Sequence, residues 1–190
     1  LIDGILNPAE WNGLANAAAM PLAKDVGGGG VAVNRQSKAW LCYDQKALYI
    51  AVDNLVGAGA QMGANDWGAN DAIEVALRPL RKDNKPAPIT VIRGYANGFL
   101  QYGTTPNASD EPKAMEPADI RFKAAKGDKG HWVAELVIPF HMIDFDPQSP
   151  TRIAFNLTVR KPGDDLWLMW ESTSGNSFDV GQAGIIELAP

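Results

Sequence analysis

The chain has 190 residues, of which 46% are hydrophobic, and a formal net charge of −5. That length suits one domain with a single buried core, so we predict one domain over residues 1–190. An acidic chain lacks the basic surface that binds nucleic acid or anionic membranes, and neither is an expected partner.

The single cysteine and the N-terminal sequence do not by themselves indicate the cellular compartment of the protein. The one cysteine, Cys42, lies in an apolar run and is expected to be a buried, unreactive thiol. No stretch is long and apolar enough to cross a membrane. The sequence starts abruptly at Leu1-Ile2-Asp3-Gly4, without the pattern of a signal peptide. We therefore expect a fragment of a longer, multidomain protein.

The predicted elements begin with a helical turn at 8–11, where Asn7 is a suitable N-cap and proline takes the first helical position. Apolar and polar residues then alternate with period two in many short segments separated by turn residues, which is typical of half-buried strands. A second short turn is predicted at 139–143. The predicted strands cover residues 29–34, 38–43, 47–53, 73–78, 88–95, 98–102, 119–125, 132–138, 152–160, 166–171 and 184–188. The pattern predicts an all-β fold, an antiparallel β-sandwich of jelly-roll or immunoglobulin-like type with one or two short helical turns.

Catalytic motifs are weak throughout the sequence. The two histidines, His131 and His141, are not accompanied by the G-x-S-x-G motif of a catalytic serine. The sequence also lacks the clustered cysteines and histidines that bind zinc. Glu74, Glu135 and Glu171 could in principle supply the carboxylate pair of a glycoside hydrolase, but sequence cannot place two of them together. We predict no catalytic residue.

The six tryptophans are the more informative feature. Trp132 and Trp40 lie in apolar strands and are predicted to be core residues, and Trp11 is predicted to plug one end of the sandwich. Trp67 lies in a polar loop, and an exposed loop tryptophan commonly binds a ligand. Trp167 and Trp170 are three positions apart, so on one strand they face opposite sides and one of them leaves the core.

Sugars suit this set of residues. A pyranose ring offers an apolar C–H face that stacks on an indole, and hydroxyls that need polar partners. Arg93, Glu74, Tyr95, Asn156 and Glu171 lie on or beside the strands in question. The alternative for Arg93 and Glu74 is an ordinary surface ion pair.

Five motifs in chain order resemble family 9 carbohydrate-binding modules and the related DOMON-type sandwiches. The motifs are Ile2-Asp3-Gly4 through Trp11, Ala47-Leu48-Tyr49-Ile50-Ala51-Val52, Trp67 through Val75, Trp132 through Phe140, and Trp170 followed by Phe178-Asp179 and Gly184 through Leu188. Each motif alone is mostly a strand pattern, but together they cover nearly the whole chain.

The resemblance implies a non-catalytic module in which Trp67 and Trp170 clamp a saccharide unit, a chain end, with Glu74 and Arg93 as polar partners. It also implies structural calcium, with ligands that the sequence does not identify, and fusion to a glycoside hydrolase such as a xylanase. A secreted, periplasmic or cell-surface location follows from that role.

Two other functions stay open at this stage. Some relatives on this sandwich are redox domains that hold haem b, and Met62, Met142, His131 and His141 could supply axial ligands. The third alternative is an interaction module without a small ligand, because one sandwich fold supports several functions.

Overall fold

The protein is described by a computed structural model that covers residues 1–11, 19–57, 59–81, 86–127, 130–145 and 151–188. The predicted antiparallel β-sandwich is confirmed, with two sheets packed face to face. The strands are β1 (Met20–Leu22), β2 (Ser37–Tyr43), β3 (Ala47–Leu55), β4 (Ala72–Pro79), β5 (Ile89–Tyr95), β6 (Leu100–Thr105), β7 (Lys113–Met115), β8 (Arg121–Lys126), β9 (His131–Pro139), β10 (Thr151–Lys161), β11 (Leu166–Met169) and β12 (Gly184–Leu188).

The two sheets differ in size. The smaller has the order β1-β2-β3-β9-β8, and the larger has the order β11-β10-β4-β5-β6-β7, with β12 also paired to β10. The helical elements of the described residues are α1 (Pro8–Trp11) and the 3-10 helices Val33–Arg35, Phe140–Met142 and Pro162–Asp164. None of these described helices has the length and apolar character needed to cross a bilayer.

The hydrophobic core lies between the sheets and follows the alternation of the sequence. Ile73, Val75 and Leu77 of β4 point inward, and each is at most 1% exposed. Trp132 of β9 is fully buried, as predicted. Burial of such side chains contributes about 1.5–3 kcal/mol each, so the alternating strands account for the packing of the two sheets.

A second apolar cluster covers the outer face of the larger sheet. Ala76, Val91 and Ala154 point away from the core and are nevertheless buried, because Phe178 and Val180 pack on them. The segment 171–183, which joins β11 to β12, therefore lies across this outer face. It covers only part of the face and leaves the rest open.

The N-terminal segment lies on the outer face of the smaller sheet. The carboxylate of Glu135 on β9 is fully buried and accepts hydrogen bonds from the backbone N–H groups of Asp3 (2.9 Å) and Gly4 (2.8 Å) and from Nε1 of Trp11 (2.9 Å). Trp11 thus covers a sheet face, and the prediction that it plugs one end of the sandwich is wrong.

Two predictions for β2 also need correction. Ser37, Ala39 and Leu41 take the core side of this strand, so Trp40 and Cys42 point to the outer face and are only half-buried. Burial still raises the pKa of the Cys42 thiol. A strand with apolar residues on both faces can bury either one, and here the face of Ala39 and Leu41 is the inner one.

Short edge segments account for the other differences. Residues 29–34 form no strand and lead into the 3-10 helix Val33–Arg35. The edge strands β1 and β7 were not predicted, because three residues are too few to show a period.

A backbone contact links the β3–β4 loop to the turn between β10 and β11. A Cβ atom on Gly163 would lie 2.3 Å from the backbone of Gly59, and one on Gly57 would lie 2.5 Å from the Asp164 carboxylate. Only glycine permits the backbone approach between Gly163 and Gly59, whereas the Asp164 side chain could move away from a larger residue at position 57. The loop and the turn lead directly to Trp67 and Trp167.

Candidate functional site

An open cavity of about 300 Å³ lies on the outer face of the larger sheet. We call it the tryptophan cavity. Its walls combine aromatic rings, polar groups and apolar side chains from six separate stretches of the chain. They consist of Val26, Trp67, Arg93, Glu111, Trp167, Met169, Gly175, Asn176, Ser177 and Phe178.

Strand register explains why these side chains meet. On the outer face, Glu74 of β4 pairs with Arg93 of β5 on one side and with Thr158 of β10 on the other. Thr158 in turn pairs with Met169 of β11. The next outer-face row lies two residues further along β10, where Arg160 pairs with Ala72 of β4 on one side and with Trp167 of β11 on the other. Side chains opposite each other on one face lie about 4.5–5.5 Å apart at Cβ, so the two rows form a continuous floor.

Trp67 and Trp167 form an aromatic corner. Their ring centroids are 5.4 Å apart and their planes are inclined by 75°, an edge-to-face contact. The guanidinium of Arg160 lies 4.7 Å from the centre of the Trp167 ring, and its Nε donates a hydrogen bond to the Gly68 carbonyl (2.7 Å). Arg160 therefore holds the Trp67 loop against β11.

This geometry differs from a clamp of two parallel rings, the arrangement that the sequence predicted for Trp67 and Trp170 and that stays a prediction for that pair. A sugar between two parallel indoles needs about 3.5–4.0 Å of van der Waals separation on each side, hence roughly twice that between the rings. The distance between Trp67 and Trp167 is smaller and their planes are steeply inclined. The pair thus offers a corner for a ligand and has no slot between its rings.

Arg93 is the central polar group of the cavity. Its guanidinium lies 4.9 Å from the centre of the Trp67 ring, and its Nε donates to Oε2 of Glu74 (2.7 Å). Oε1 of Glu74 accepts a short hydrogen bond from Ser177. Within the described ranges, no partner is seen for the two terminal nitrogens of Arg93, which remain able to donate to a ligand.

Glu74 lies beneath Arg93 and does not line the cavity. It is 1% exposed, and both of its oxygens accept hydrogen bonds. Burial raises the pKa of this carboxyl, and the neighbouring Arg93 charge opposes that rise. We therefore assign Glu74 as the residue that positions Arg93, whereas the sequence suggested a direct ligand contact.

Tyr95 is also buried, next to the floor of the cavity. Its hydroxyl donates to Oε1 of Gln101 (2.7 Å). Burial raises the pKa of Tyr95 to about 12. The hydroxyl is therefore protonated across the physiological range, and its contact is with Gln101.

Asn156 and Glu171 hold the base of the 171–183 segment. The Asn156 amide donates to the carbonyls of Glu171 (3.0 Å) and Ser177 (3.3 Å) and accepts from the Glu171 N–H (3.1 Å). The Glu171 carboxylate pairs with Lys24. Neither residue lines the tryptophan cavity, so they shape it through the segment.

Trp170 lies on the core side, which corrects the expectation that it is free of the core. Its ring packs on Phe155, with centroids 5.7 Å apart, and it joins the main hydrophobic cluster. The pairing of β11 with β10 explains the placement, because Leu166, Leu168 and Trp170 alternate on the inner side while Trp167 faces outward. The alternation of Leu166 and Leu168 was the sequence signal that identifies Trp167 as the outward-facing member of the pair. A role for Trp170 in ligand binding stays a prediction.

The two histidines considered for haem ligation lie at opposite ends of β9. His131 contacts Asp53 (2.7 Å) and His141 contacts Asp119 (2.9 Å). The nine residues of β9 separate these histidines by about 25–30 Å, so the two cannot ligate one iron. Met62 and Met142 are both half-buried against the core. The haem alternative stays a prediction.

One group of carboxylates could contribute to a calcium site. Asp3, Glu10 and Glu135 place carboxylate oxygens within 4.8 Å of one another. Oxygen ligands suit calcium, which takes six to eight of them, so three carboxylates with one ligand atom each would supply at most half. Both Glu135 oxygens already accept hydrogen bonds. Structural calcium therefore stays a prediction.

Comparison with solved structures identifies proteins that share this architecture. No protein-family model matches the chain, and no curated protein matches it. The structure superposes on a family 9 carbohydrate-binding module from Caldicellulosiruptor kristjanssonii in complex with glucose, with a TM-score of 0.70 and 18% identity over 100% of this chain and 91% of that one. The chain has the fold of a family 9 carbohydrate-binding module.

Two further solved structures superpose on the chain. A family 9 module from the same organism in complex with cellotriose gives a TM-score of 0.67 at 17% identity, over 98% of this chain and 88% of that one. A proposed carbohydrate-binding protein from Bacteroides uniformis gives 0.69 at 10% identity, over 97% and 92%. The resemblance read from the sequence motifs is confirmed at the level of this family 9 fold.

Proposed function

We propose that this chain is a non-catalytic module that binds a saccharide in the tryptophan cavity. The observation that carries the proposal is the aromatic corner of Trp67 and Trp167 beside Arg93, whose terminal nitrogens are able to donate. An apolar surface next to oriented donors matches a pyranose, which has a C–H face and a rim of hydroxyls. The family 9 fold supports the same ligand class, because two of its solved representatives were obtained with glucose and with cellotriose.

Each wall of the cavity has a defined role in this proposal. One pyranose unit packs its C–H face into the aromatic corner, where aromatic contact contributes about 0.5–1.5 kcal/mol beyond area burial. The Arg93 guanidinium donates to adjacent hydroxyls in a charge-assisted contact. Asn176, whose Nδ2 donates to the Ala108 carbonyl (2.8 Å), keeps its amide oxygen for a hydroxyl donor.

The charges favour binding over hydrolysis. Glycoside hydrolysis requires two carboxyl groups that flank the scissile bond. Among the described residues that line the cavity, Glu111 is the single carboxylate. Glu74 lies below with both oxygens engaged. The cavity can thus hold a sugar but presents one acidic group to it.

The wider biological role is part of the proposal. An open cavity at the protein surface admits the end of a polysaccharide chain, and its walls leave room for the rest of the chain outside. We propose that the module targets a glycoside hydrolase, to which it is fused, to plant or microbial polysaccharide outside the cytoplasm. Calcium would brace its loops.

Isothermal titration with glucose, cellotriose, xylose and xylotriose tests the binding function. We expect at least one of these sugars to bind, and Trp67→Ala to weaken that binding by about tenfold or more, because an indole stack is lost. Trp40→Ala is the matched control, since Trp40 is also a half-buried tryptophan but lies on the outer face of the other sheet. Failure of every sugar to bind, or equal loss in both variants, would contradict the proposal.

A further inference from the structure

A second cavity of about 550 Å³ adjoins the first on the same sheet face. We call it the phenylalanine groove. Arg93 lines both cavities, and its cross-strand partner Gln101 lies on the floor of the groove. Phe99 stands at its side and is 45% exposed. The groove therefore extends the tryptophan cavity, and Arg93 lies at the boundary between the two.

Phe99 is held out to solvent by a rigid turn. Two backbone hydrogen bonds close the β5–β6 hairpin: the Tyr95 N–H donates to the Phe99 carbonyl (2.9 Å), and the Gly98 N–H donates to the Tyr95 carbonyl (2.8 Å). The Asn97 side chain also accepts from the Phe99 N–H (3.0 Å). The Phe99 ring rests against Tyr95, with centroids 6.0 Å apart. An exposed aromatic ring on such a fixed turn loses little entropy when a ligand stacks on it.

Gln101 is oriented from below. Its Oε1 accepts the hydrogen bond of the buried Tyr95 hydroxyl, so its amide nitrogen is left to donate. The terminal nitrogens of Arg93 provide further donors at the boundary between the two cavities. The groove thus repeats the chemistry of the tryptophan cavity, with an aromatic surface beside fixed hydrogen-bond donors.

We propose that the phenylalanine groove is a second saccharide subsite, so that the module binds an oligosaccharide of two or more linked pyranose units across Arg93. This proposal rests on the function proposed for the tryptophan cavity. One unit packs into the aromatic corner, and the next stacks on Phe99 and accepts hydrogen bonds from Gln101. A single sugar occupies only the first subsite.

Affinity as a function of ligand length tests the second subsite. Titration of the wild-type chain with glucose and cellotriose, and with xylose and xylotriose, should show at least about tenfold tighter binding of the trisaccharide in the accepted series. Phe99→Ala should reduce that advantage to less than about threefold while leaving monosaccharide affinity unchanged. Gln101→Ala, which changes an exposed side chain, should reduce the advantage in the same direction.

The control and the contrary outcomes separate the two proposals. Tyr43→Ala removes a comparably exposed aromatic side chain (41%) from a hairpin of the other sheet and should leave both affinities unchanged. Equal affinity for monosaccharide and trisaccharide, or an unchanged advantage in Phe99→Ala and Gln101→Ala, would overturn the second subsite and leave the first intact. Absence of monosaccharide and trisaccharide binding alike would overturn the proposed function itself.

Discussion

Alanine substitution of Trp167 and of Trp170, one at a time, separates ligand binding from core packing. Trp167 lines the tryptophan cavity, whereas Trp170 packs on Phe155 within the main core cluster. We expect Trp167→Ala to lose affinity with a small loss of stability, and Trp170→Ala to lose stability with affinity unchanged in the folded fraction.

The magnitudes follow from the contacts of each ring. Trp167 makes an edge-to-face contact with Trp67 and a cation–π contact with Arg160, worth about 0.5–1.5 and 0.5–1 kcal/mol. Its loss should therefore lower the free energy of unfolding by about 1–2 kcal/mol. Truncation of a buried tryptophan costs about 3–5 kcal/mol, and the half-buried Trp170 should lie near the lower end of that range. For a chain of this size, 3 kcal/mol lowers Tm by roughly 6–12 °C.

Urea unfolding and titration with cellotriose or xylotriose measure the two effects on the same preparations. Trp167→Ala should bind about tenfold to a hundredfold more weakly than wild type, the equivalent of about 1.4–2.7 kcal/mol. The reverse outcome, in which Trp170→Ala keeps its stability and loses binding while Trp167→Ala binds normally, would refute the assignment of Trp167 to the site.

Three other substitutions test the buried groups. Glu74→Gln should weaken saccharide binding about fivefold or more and lower the free energy of unfolding by about 1.5–3 kcal/mol, because Arg93 loses its charged partner. Titration would measure the first effect and urea unfolding the second. Neither change would be seen if Glu74 had no positioning role. Because the pKa of Tyr95 is about 12 in the folded chain and 10.0 as its ordinary value, its contribution to stability is complete below pH 10 and is lost between pH 10 and 12. Urea unfolding at pH 9 and 11 should thus show a smaller decline for Tyr95→Phe, and equal declines would count against the buried hydroxyl. Burial lowers the pKa of Lys161 below 10.5, so the free energy of unfolding should increase as pH rises towards 10.5. Urea unfolding between pH 7 and 10 should show that this increase is lost in Lys161→Met. An identical pH profile for the wild type and the variant would contradict this prediction.

The sequence predicted the sandwich well, because alternation of apolar and polar residues determines which face of a strand is buried. Ile153, Phe155, Leu157 and Val159 lie in the core as predicted. The face of Trp40 was predicted incorrectly, since the identity of the inner side depends on what the opposite sheet leaves room for. Order and partnership of strands within each sheet also depend on long-range contacts that no local pattern encodes.

The candidate site was predictable in part. Trp67 stood out as a loop tryptophan, and Arg93 and Glu74 were recognised as neighbours that the register then paired directly. The family motif favours Trp170 as the ligand-binding residue, whereas the alternation of the surrounding leucines indicates that Trp167 faces outward. Asn176 could not be predicted, since it belongs to an irregular segment whose path over the sheet is determined by tertiary packing.

The contact between Gly59 and Gly163 has a consequence for how such a site can diversify. The two elements that carry Trp67 and Trp167 meet backbone to backbone, with no side chain between them. This contact constrains how the Trp67 loop lies against the turn before β11, at residues that do not line the tryptophan cavity. A side chain introduced there would act as a spacer, and it would change the separation of Trp67 and Trp167 in the proposed saccharide site while every residue that lines the cavity stays the same.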